Sequence, residues 1–236
     1  MACELSVVIP AYNEARRLGD TLRRTVEHLT RRGLAYEVLV VDDGSGDGTA
    51  AVAETFATAG VRVVRHERNR GKGAAVRTGV LATGGARVLL TDADLSTPIE
   101  ELAKLEARLP EAPLVLGSRA VAGADIRRHQ PLYRELMGKI FNRLIRLLGV
   151  RGLHDTQCGF KLLDGAVARD LAADLTVEGF AYDVELVVLA RRRGHRVVEV
   201  GVVWEDSPDS RVDPLRSSVA MLRDVAAIRF RRPGRR

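Results

Sequence analysis

The first ninety residues alternate apolar runs of strand length with segments of helical period, and that rhythm admits few folds. Leu5-Ser6-Val7-Val8-Ile9, closed by Pro10, reads as a first strand, Tyr36 to Val41 as a second and Val61 to Arg65 as a third. A fourth starts at Val88-Leu89-Leu90 after Gly84-Gly85 and runs on to Asp94. Between them, Glu14 to about Arg32 places Leu18, Leu22, Val26 and Leu29 at helical spacing. A second helix is expected from about Asp47 to Ala59, and Asn69-Arg70-Gly71-Lys72-Gly73 opens a third to about Ala82. Alternation of this kind predicts a doubly wound, mainly parallel sheet flanked by helices. Such sheets bind ligands beyond the carboxyl ends of their strands, where strand order reverses. Asp42, Asp43, Asp92 and Asp94 all fall at expected strand ends.

Two of these features carry chemistry, and each has a plainer reading. In an extended chain Asp92 and Asp94 point to the same side, and two like charges so close repel. A hard divalent cation, Mg²⁺ or Mn²⁺, would hold both and keep positions open for phosphate. Alternatively this is a polar strand end entering a helix, with Asp94 or Ser96 as its cap. Gly71-Lys72-Gly73 offers close backbone approach, helix N–H groups and a point charge to a phosphate, or is a simple helix-opening turn. The first strand–helix turn lacks G-x-G-x-x-G, and Gly71-Lys72-Gly73 lacks the remaining parts of a P-loop, so neither nucleotide motif applies.

The second half reads differently. A strand Leu114–Leu116 leads into Gly117-Ser118-Arg119. Between Pro131 and Leu148 a helix presents Leu132, Leu136, Ile140, Leu144 and Leu148 on one face with arginines and lysines at its flanks. That pattern suits an anionic membrane interface or a core helix with a solvated basic side. Asp155–Lys161 is a loop dense in functional side chains, Phe180 to Glu185 opens a helix to about Arg193, and Val197–Trp204 is a strand. A last helix follows Ser210-Arg211 and ends in an arginine-rich tail. Residues 1–116 carry 15 Lys and Arg against 16 Asp and Glu, and residues 117–236 carry 22 against 15, so the net charge of +6 sits in the second half. A basic half suits a polyanion or an anionic lipid surface. With 4% aromatic residues there is little to stack on bases, so no nucleic-acid partner is expected. There is neither a long uncharged apolar run nor a signal-like start, which predicts a cytoplasmic chain, peripheral on the cytosolic face of a membrane. Cys3 and Cys158 are the only cysteines and provide no disulfide framework. No linker or repeat divides the chain, so one domain over 1–236 is expected.

Taken together, Val-Val-Ile-Pro-Ala-Tyr-Asn-Glu (7–14), Val-Asp-Asp-Gly-Ser (41–45), Asn-Arg-Gly-Lys-Gly (69–73) and Asp-Ala-Asp (92–94) resemble family 2 glycosyltransferases of the GT-A fold. Gly-Ser-Arg (117–119), Asp-Thr-Gln-Cys-Gly-Phe-Lys (155–161) and Asp-Val-Glu-Leu (183–186) are most similar to the polyprenyl-phosphate group, on its dolichyl-phosphate glucosyltransferase branch. The resemblance runs from Val7 to about Arg211.

It implies inverting, metal-dependent transfer of a hexosyl group from a nucleotide sugar, UDP-glucose or a related UDP-hexose, to a polyprenyl phosphate lipid at an anionic membrane surface. Residues 1–116 would form the nucleotide-sugar half and 117–236 the acceptor and membrane-facing half. Pro10, Tyr12, Glu14, Val40, Asp42 and Ala93 would hold the donor, with Asp42 meeting the base and Lys72 the pyrophosphate. Asp92 and Asp94 would bind the donor through Mg²⁺ or Mn²⁺, and Arg119, Arg134 and Arg211 would meet the acceptor phosphate. Asp94, Lys72 and Asp183 form the implied catalytic set, Asp183 matching the base of relatives with hydroxyl acceptors. Such an acceptor, in glycan or cell-wall synthesis, is the alternative. Ser96 and Gly138 stand where some relatives carry a metal contact and an acceptor hydrogen bond.

Overall fold

The computed structural model describes residues 2–128, 152–206, 221 and 223–228. The expected helix over 131–148, Arg134, Gly138, Arg211, the start of the last helix and the arginine-rich tail lie outside the described residues. In chain order the strands are β1 (Leu5–Ala11), β2 (Tyr36–Asp42), β3 (Val61–Arg65), β4 (Arg87–Leu90), β5 (Leu114–Ser118), β6 (Asp125–Arg128), β7 (Lys161–Asp164), β8 (Val197–Gly201) and β9 (Val203–Glu205). The helices are α1 (Ala15–Arg31), α2 (Thr49–Glu54), α3 (Lys72–Leu81), α4 (Leu102–Glu106), α5 (Gly165–Asp174) and α6 (Tyr182–Arg192).

Among the described residues seven strands form one sheet in the order β3-β2-β1-β4-β7-β5-β8, and β6 pairs with β9 in a small second sheet. All pairings in the large sheet are parallel except those of β7, which runs antiparallel to both β4 and β5. From β1 the chain winds outward through β2 and β3, then returns to the other side of β1 as β4. Strand order therefore reverses between β1 and β4, and a crevice opens beyond their carboxyl ends.

Both faces of the sheet are covered, so its strands are apolar almost throughout. Val7 and Ile9 of β1 face α1 and α4, packing with Leu18, Leu22, Leu29, Leu102 and Leu105. Val8, on the opposite face, joins Val41, Leu90 and Leu116 beneath α3, α5 and α6. A helical stretch at 223–228 adds Val225 and Ile228 to that second layer.

The structure departs from the sequence reading at several points. β1 runs through Pro10 to Ala11 instead of stopping at Ile9. The missing Pro10 N–H faces the β4 side, where pairing has already ended at Val8 and Leu90, so no ladder bond is lost. The second helix is only Thr49–Glu54, followed by a tight turn at Ala57–Ala59 that Gly60, at φ +78°, redirects into β3. β7 and α5 come unannounced: charged Lys161 and Asp164 bound a strand of four residues, too short to show a period. The run 197–204 is two strands in different sheets. Val202 bonds across to Ser118 and Asp125 at the break, and a Cβ on Gly201 would lie 2.4 Å from Ala124 N and 2.5 Å from Ala122 O.

That contact generates a stability test. Gly201→Ala has only backbone to displace, and should cost about 1–3 kcal/mol by overpacking, read as a shift of the urea midpoint. Gly48→Ala, where nothing lies within 4 Å of the added carbon, should change stability by less than about 0.5 kcal/mol.

Candidate active site

The crevice beyond β1 and β4 is lined by loops stitched to one another. Asn13, held at φ 55°, follows β1 and accepts from Gly46 N at 3.0 Å, while its own N–H donates to Ser45 Oγ at 2.9 Å. Asparagine tolerates this left-handed conformation better than most residues. Glu14 N donates to Thr49 Oγ1 at 2.8 Å and Ala15 N to Asp47 Oδ2 at 3.2 Å. The turn after β1 is thus fixed to the turn after β2. Tyr12 projects from it, 45% exposed. Asp42 ends β2 fully buried, its Oδ1 accepting from Ser45 N at 2.9 Å. Arg65 Nε lies 3.1 Å from Asp42 Oδ2 but is not aligned to hydrogen-bond it.

Asp92 and Asp94 lie beyond the end of β4, which stops at Leu90. Their alignment therefore does not come from an extended strand, as the alternation argument supposed. Thr91 N still bonds Val8 O, and the chain then turns, with Leu95 at φ 47°. Asp94 Oδ1 accepts from Ser96 N at 2.9 Å within this turn; the next helical turn begins only at Ile99, after Pro98, so neither Asp94 nor Ser96 caps a helix. Ala93 is buried, and its carbonyl accepts from Thr21 of α1 at 2.7 Å.

Cations arrive at Asp92 from three other elements. Lys72, first residue of α3, places Nζ 2.6 Å from Asp92 Oδ1. The two side chains are 23% and 34% exposed, so the pair stays accessible to a ligand. Burial presses Lys72 toward its neutral form, but the charges of Asp92 and Asp183, then the Asp92 hydrogen bond and Asp94, outweigh it and raise its pKa. Burial would likewise raise Asp92, yet Lys72, Lys161 and Arg119 hold its pKa below the usual carboxylate value. Asp94 goes the other way. Burial first, and then the charge of Asp92, raise its pKa against the Ser96 backbone bond and Arg17, whose Nη1 lies 3.7 Å from Asp94 Oδ2. Arg17 is shared with Glu14, to which both Nε and Nη2 are bonded.

On the far side, Asp183 opens α6 and pairs with Lys161, the first residue of β7, which is fully buried. Lys161 Nζ also donates to the Cys158 carbonyl. Burial raises the Asp183 pKa while Lys161 and then Lys72 oppose it. Arg119, just past β5, grips Asp155 with Nε at 2.7 Å, Nη2 at 2.9 Å and its backbone N–H at 3.0 Å, and its guanidinium lies 5.3 Å from the centre of the Trp204 ring. Glu199 of β8 fixes the loop beneath, accepting from His154 N and Asp155 N at 2.7 Å each.

The structure thus brings Lys72, Asp92, Asp94, Asp183 and Arg119 close enough to shift one another's ionisation. Pro10, Tyr12 and Glu14 keep surface at the β1–β2 end of the crevice, whereas Asp42, at 0% exposure, lies beneath it and acts there through Ser45 and Arg65. Val40 is different: it is fully buried in the layer between β2 and α1, and its side chain presents no surface to the crevice. Sequence reasoning placed Asp155 and Lys161 in a functional loop without giving either a partner, and it missed Arg17. A lysine inside Phe160-Lys161-Leu162-Leu163 was the available signal, since a charge in an apolar strand needs a buried partner.

The helix-terminus reading of Gly71-Lys72-Gly73 also changes. Glu178 O accepts from Gly73 N at 2.8 Å and from Ala74 N at 3.2 Å, so those N–H groups are already taken. The glycines admit protein backbone: a Cβ on Gly71 would lie 2.4 Å from Glu178 O, and one on Gly73 would lie 2.2 Å from Val177 O. What faces Asp92 from this turn is the Lys72 ammonium.

Asp92 and Asp94 suit a hard cation. Both offer carboxylate oxygens, and Asp94 is short of positive charge. A Cβ on Gly159 would fall 2.1 Å from Asp92 Oδ2, so the carboxylate rests in space that only glycine leaves. Among the described residues no three His, Cys, Asp or Glu side chains converge on a metal position. An ion here would complete its shell with substrate oxygens and water.

Residues 6–171 match the profile described as Glycosyl transferase family 2. The dolichyl-phosphate beta-glucosyltransferase of Dictyostelium discoideum is 34% identical over 242 residues, covering 96% of this chain and 74% of that protein. The dolichyl-phosphate beta-glucosyltransferase of Drosophila melanogaster is 39% identical over 241 residues, covering 95% and 74%. Glucosyl-3-phosphoglycerate synthase from Mycobacterium tuberculosis, solved with Mn²⁺, uridine-diphosphate-glucose and phosphoglyceric acid, superposes with a TM-score of 0.73 at 19% identity, covering 96% of this chain and 80% of that one. Mannosyl-3-phosphoglycerate synthase from Rubrobacter xylanophilus gives 0.72 at 23% identity, covering 99% and 79%. These two share the GT-A fold, which the doubly wound sheet described above adopts.

The Arg119–Asp155 pair makes a pH prediction. Burial would raise Asp155, but the Arg119 charge and the hydrogen bonds from Arg119 and Gln157 lower its pKa to about 2. A depressed carboxyl stabilises the fold above its unfolded value near ~3.9, and that stabilisation is lost as pH falls toward the folded value. The difference in unfolding free energy between the natural chain and Asp155→Asn should shrink by about 2–3 kcal/mol between pH ~5 and ~2 in urea titrations. A constant difference across that window would refute the assignment.

Proposed function

The chain belongs to glycosyl transferase family 2, and on that footing we propose that it transfers glucose from UDP-glucose to the phosphate of a dolichyl-type polyprenyl lipid, with inversion and with Mg²⁺ or Mn²⁺. One observation carries the reading: Lys72 sits on Asp92 beside Asp94, whose cation Arg17, at 3.7 Å, is shared with Glu14, and Arg119 and Asp183 lie near enough to act on the same Asp92. A diphosphate bound with a hard cation completes that charge balance. The acceptor class rests on the relatives that share most of the chain's length.

A cation held by Asp92 and Asp94 would supply charge for the leaving phosphate. The remaining work belongs to the chain. Lys72, charged at neutral pH, stands where the β-phosphate gains negative charge as its bond to the anomeric carbon breaks. The turns carrying Pro10, Tyr12, Glu14 and Asp42 would hold the nucleoside, in the proposed donor half 1–116. An oxygen of the acceptor phosphate forms the new bond from the opposite side, which inverts the carbon. A phosphate monoester sheds its second proton near pH ~6, so the nucleophile is anionic at neutral pH and needs no strong base. In that reading Asp183, buried against Lys161, orients its neighbours and takes no proton.

Arg119, with Arg134 and Arg211 on sequence grounds, would meet the acceptor phosphate. Asp155 and Trp204 hold the Arg119 guanidinium in place, and Nη1 is not part of the Asp155 pair. No helix among the described residues is long and apolar enough to cross a membrane. The basic second half would instead meet anionic headgroups, on the cytosolic face in this proposal.

Transfer from labelled UDP-glucose to polyprenyl phosphate, read as butanol-extractable product, tests the reading. Asp94→Ala should lower the rate on the order of 10²–10³-fold, and EDTA should abolish transfer until Mg²⁺ or Mn²⁺ is restored. Full activity in EDTA would refute metal dependence. Arg119→Ala should raise the acceptor KM or lower transfer at least ~10-fold while changing donor affinity less than ~3-fold. The opposite pattern would assign Arg119 to the donor.

A further inference from the structure

Two buried carboxylates hold the backbone on either side of Lys72, one directly and one through the loop before α6. On one side Asp43, 3% exposed, accepts from Arg70 N at 3.0 Å and from Gly71 N at 2.7 Å. His66 backs Asp43, with Nδ1 2.7 Å from Asp43 Oδ1 and Nε2 2.9 Å from Thr78 Oγ1, so the same unit also touches the middle of α3. On the other side Glu185, 4% exposed, accepts from Thr176 N at 2.9 Å, Thr176 Oγ1 at 2.6 Å and Val177 N at 2.8 Å. The strand of backbone it fixes carries Glu178, whose carbonyl takes the Gly73 and Ala74 N–H groups. Arg70 closes the arrangement by bonding Glu178 Oε1 at 2.8 Å. The turn is gripped at Arg70 and Gly71 by Asp43, just past β2, and at Gly73 and Ala74 by the Glu178 carbonyl of the loop before α6, with Lys72 between.

We propose that Asp43 and Glu185 are positioning residues that set the Lys72 ammonium on Asp92, and that neither touches the reacting groups. Their carboxylates are spent on backbone donors of the turns, at one and two removes from Lys72. The arrangement also ties Lys72 to Asp183: the loop that Glu185 holds runs directly into α6, where a Cβ on Gly73 would meet the Tyr182 Cβ at 2.8 Å. The catalytic consequence rests on the glycosyltransferase reading above; the positioning itself does not.

The test separates the two on the full chain. Without substrate, Asp43→Asn should speed amide hydrogen exchange at Gly71, and Glu185→Gln at Gly73 and Ala74, by at least ~10-fold, with β1 amides unchanged. Thr176→Val removes the hydroxyl bond to Glu185 but keeps both backbone bonds, and should give a smaller local effect, which serves if Glu185→Gln fails to fold. With substrates, Asp43→Asn and Glu185→Gln should each lower transfer about 10-fold or more. Added to Lys72→Met, each should cost less than ~2-fold further, because residues acting through Lys72 are not additive with it. Unchanged exchange at these amides, or uniform acceleration that includes β1, overturns the positioning. Local acceleration with effects that multiply with Lys72→Met overturns its route through Lys72. If Lys72→Met itself leaves transfer intact, the pyrophosphate role of Lys72 fails while the exchange result still decides what places it.

Discussion

A carboxylate can be kept ionised at the edge of an apolar sheet only if positive charge is brought to it, and at Asp92 that charge comes from three directions. Lys72 arrives on α3, Lys161 on β7 and Arg119 from the end of β5, and together they outweigh burial. Each of these cations also needs its own counter-charge. Asp183 serves Lys161 and Asp155 serves Arg119, so the site is a set of neighbouring ion pairs, each depending on its neighbours. Removing one member exposes a charge that the others were arranged to meet.

Asp94 is where the compensation stops. It has a turn bond from Ser96 and a distant, shared Arg17, and burial and then the charge of Asp92 raise its pKa against them. A pocket fully balanced in the free protein would have no electrostatic reason to take a cation with a diphosphate. One that is short of positive charge at a single, partly exposed carboxylate has such a reason, and hard oxygen donors set which ions suit it.

Much of this was legible from the residues alone. β1, β2 and β3 read as apolar runs of strand length, α1 by its helical spacing and α3 from the turn that opens it, and the carboxylates at strand ends mark the crevice edge. β7 was not legible, because four residues bounded by Lys161 and Asp164 carry no period. With β7 hidden, its lysine could not be seen as the partner of Asp183. Gly71 and Gly73 show a different limit. The pattern Gly-Lys-Gly is the same whether its glycines admit a phosphate or another stretch of chain. Only the tertiary approach of Val177 and Glu178 decides between them. Val40 makes the same point, since alternation along β2 cannot say how deep a side chain lies when both faces are covered.

The antiparallel direction of β7 has a consequence for how such a chain can change. Because β5 points toward the crevice and β7 points away from it, the interval 119–160 leaves and re-enters the sheet at the same edge, where Gly117 N bonds Phe160 O at 2.8 Å. Length added or removed within that interval need not alter the register of any strand in the large sheet. The turns after β1 and β2 have no such latitude, since each connects a strand to a helix packed on the sheet. Variation among descendants of this architecture would therefore accumulate in the 119–160 interval; under the function proposed above, a lineage could exchange one acceptor for another there while keeping its donor side and its hydrophobic layers intact.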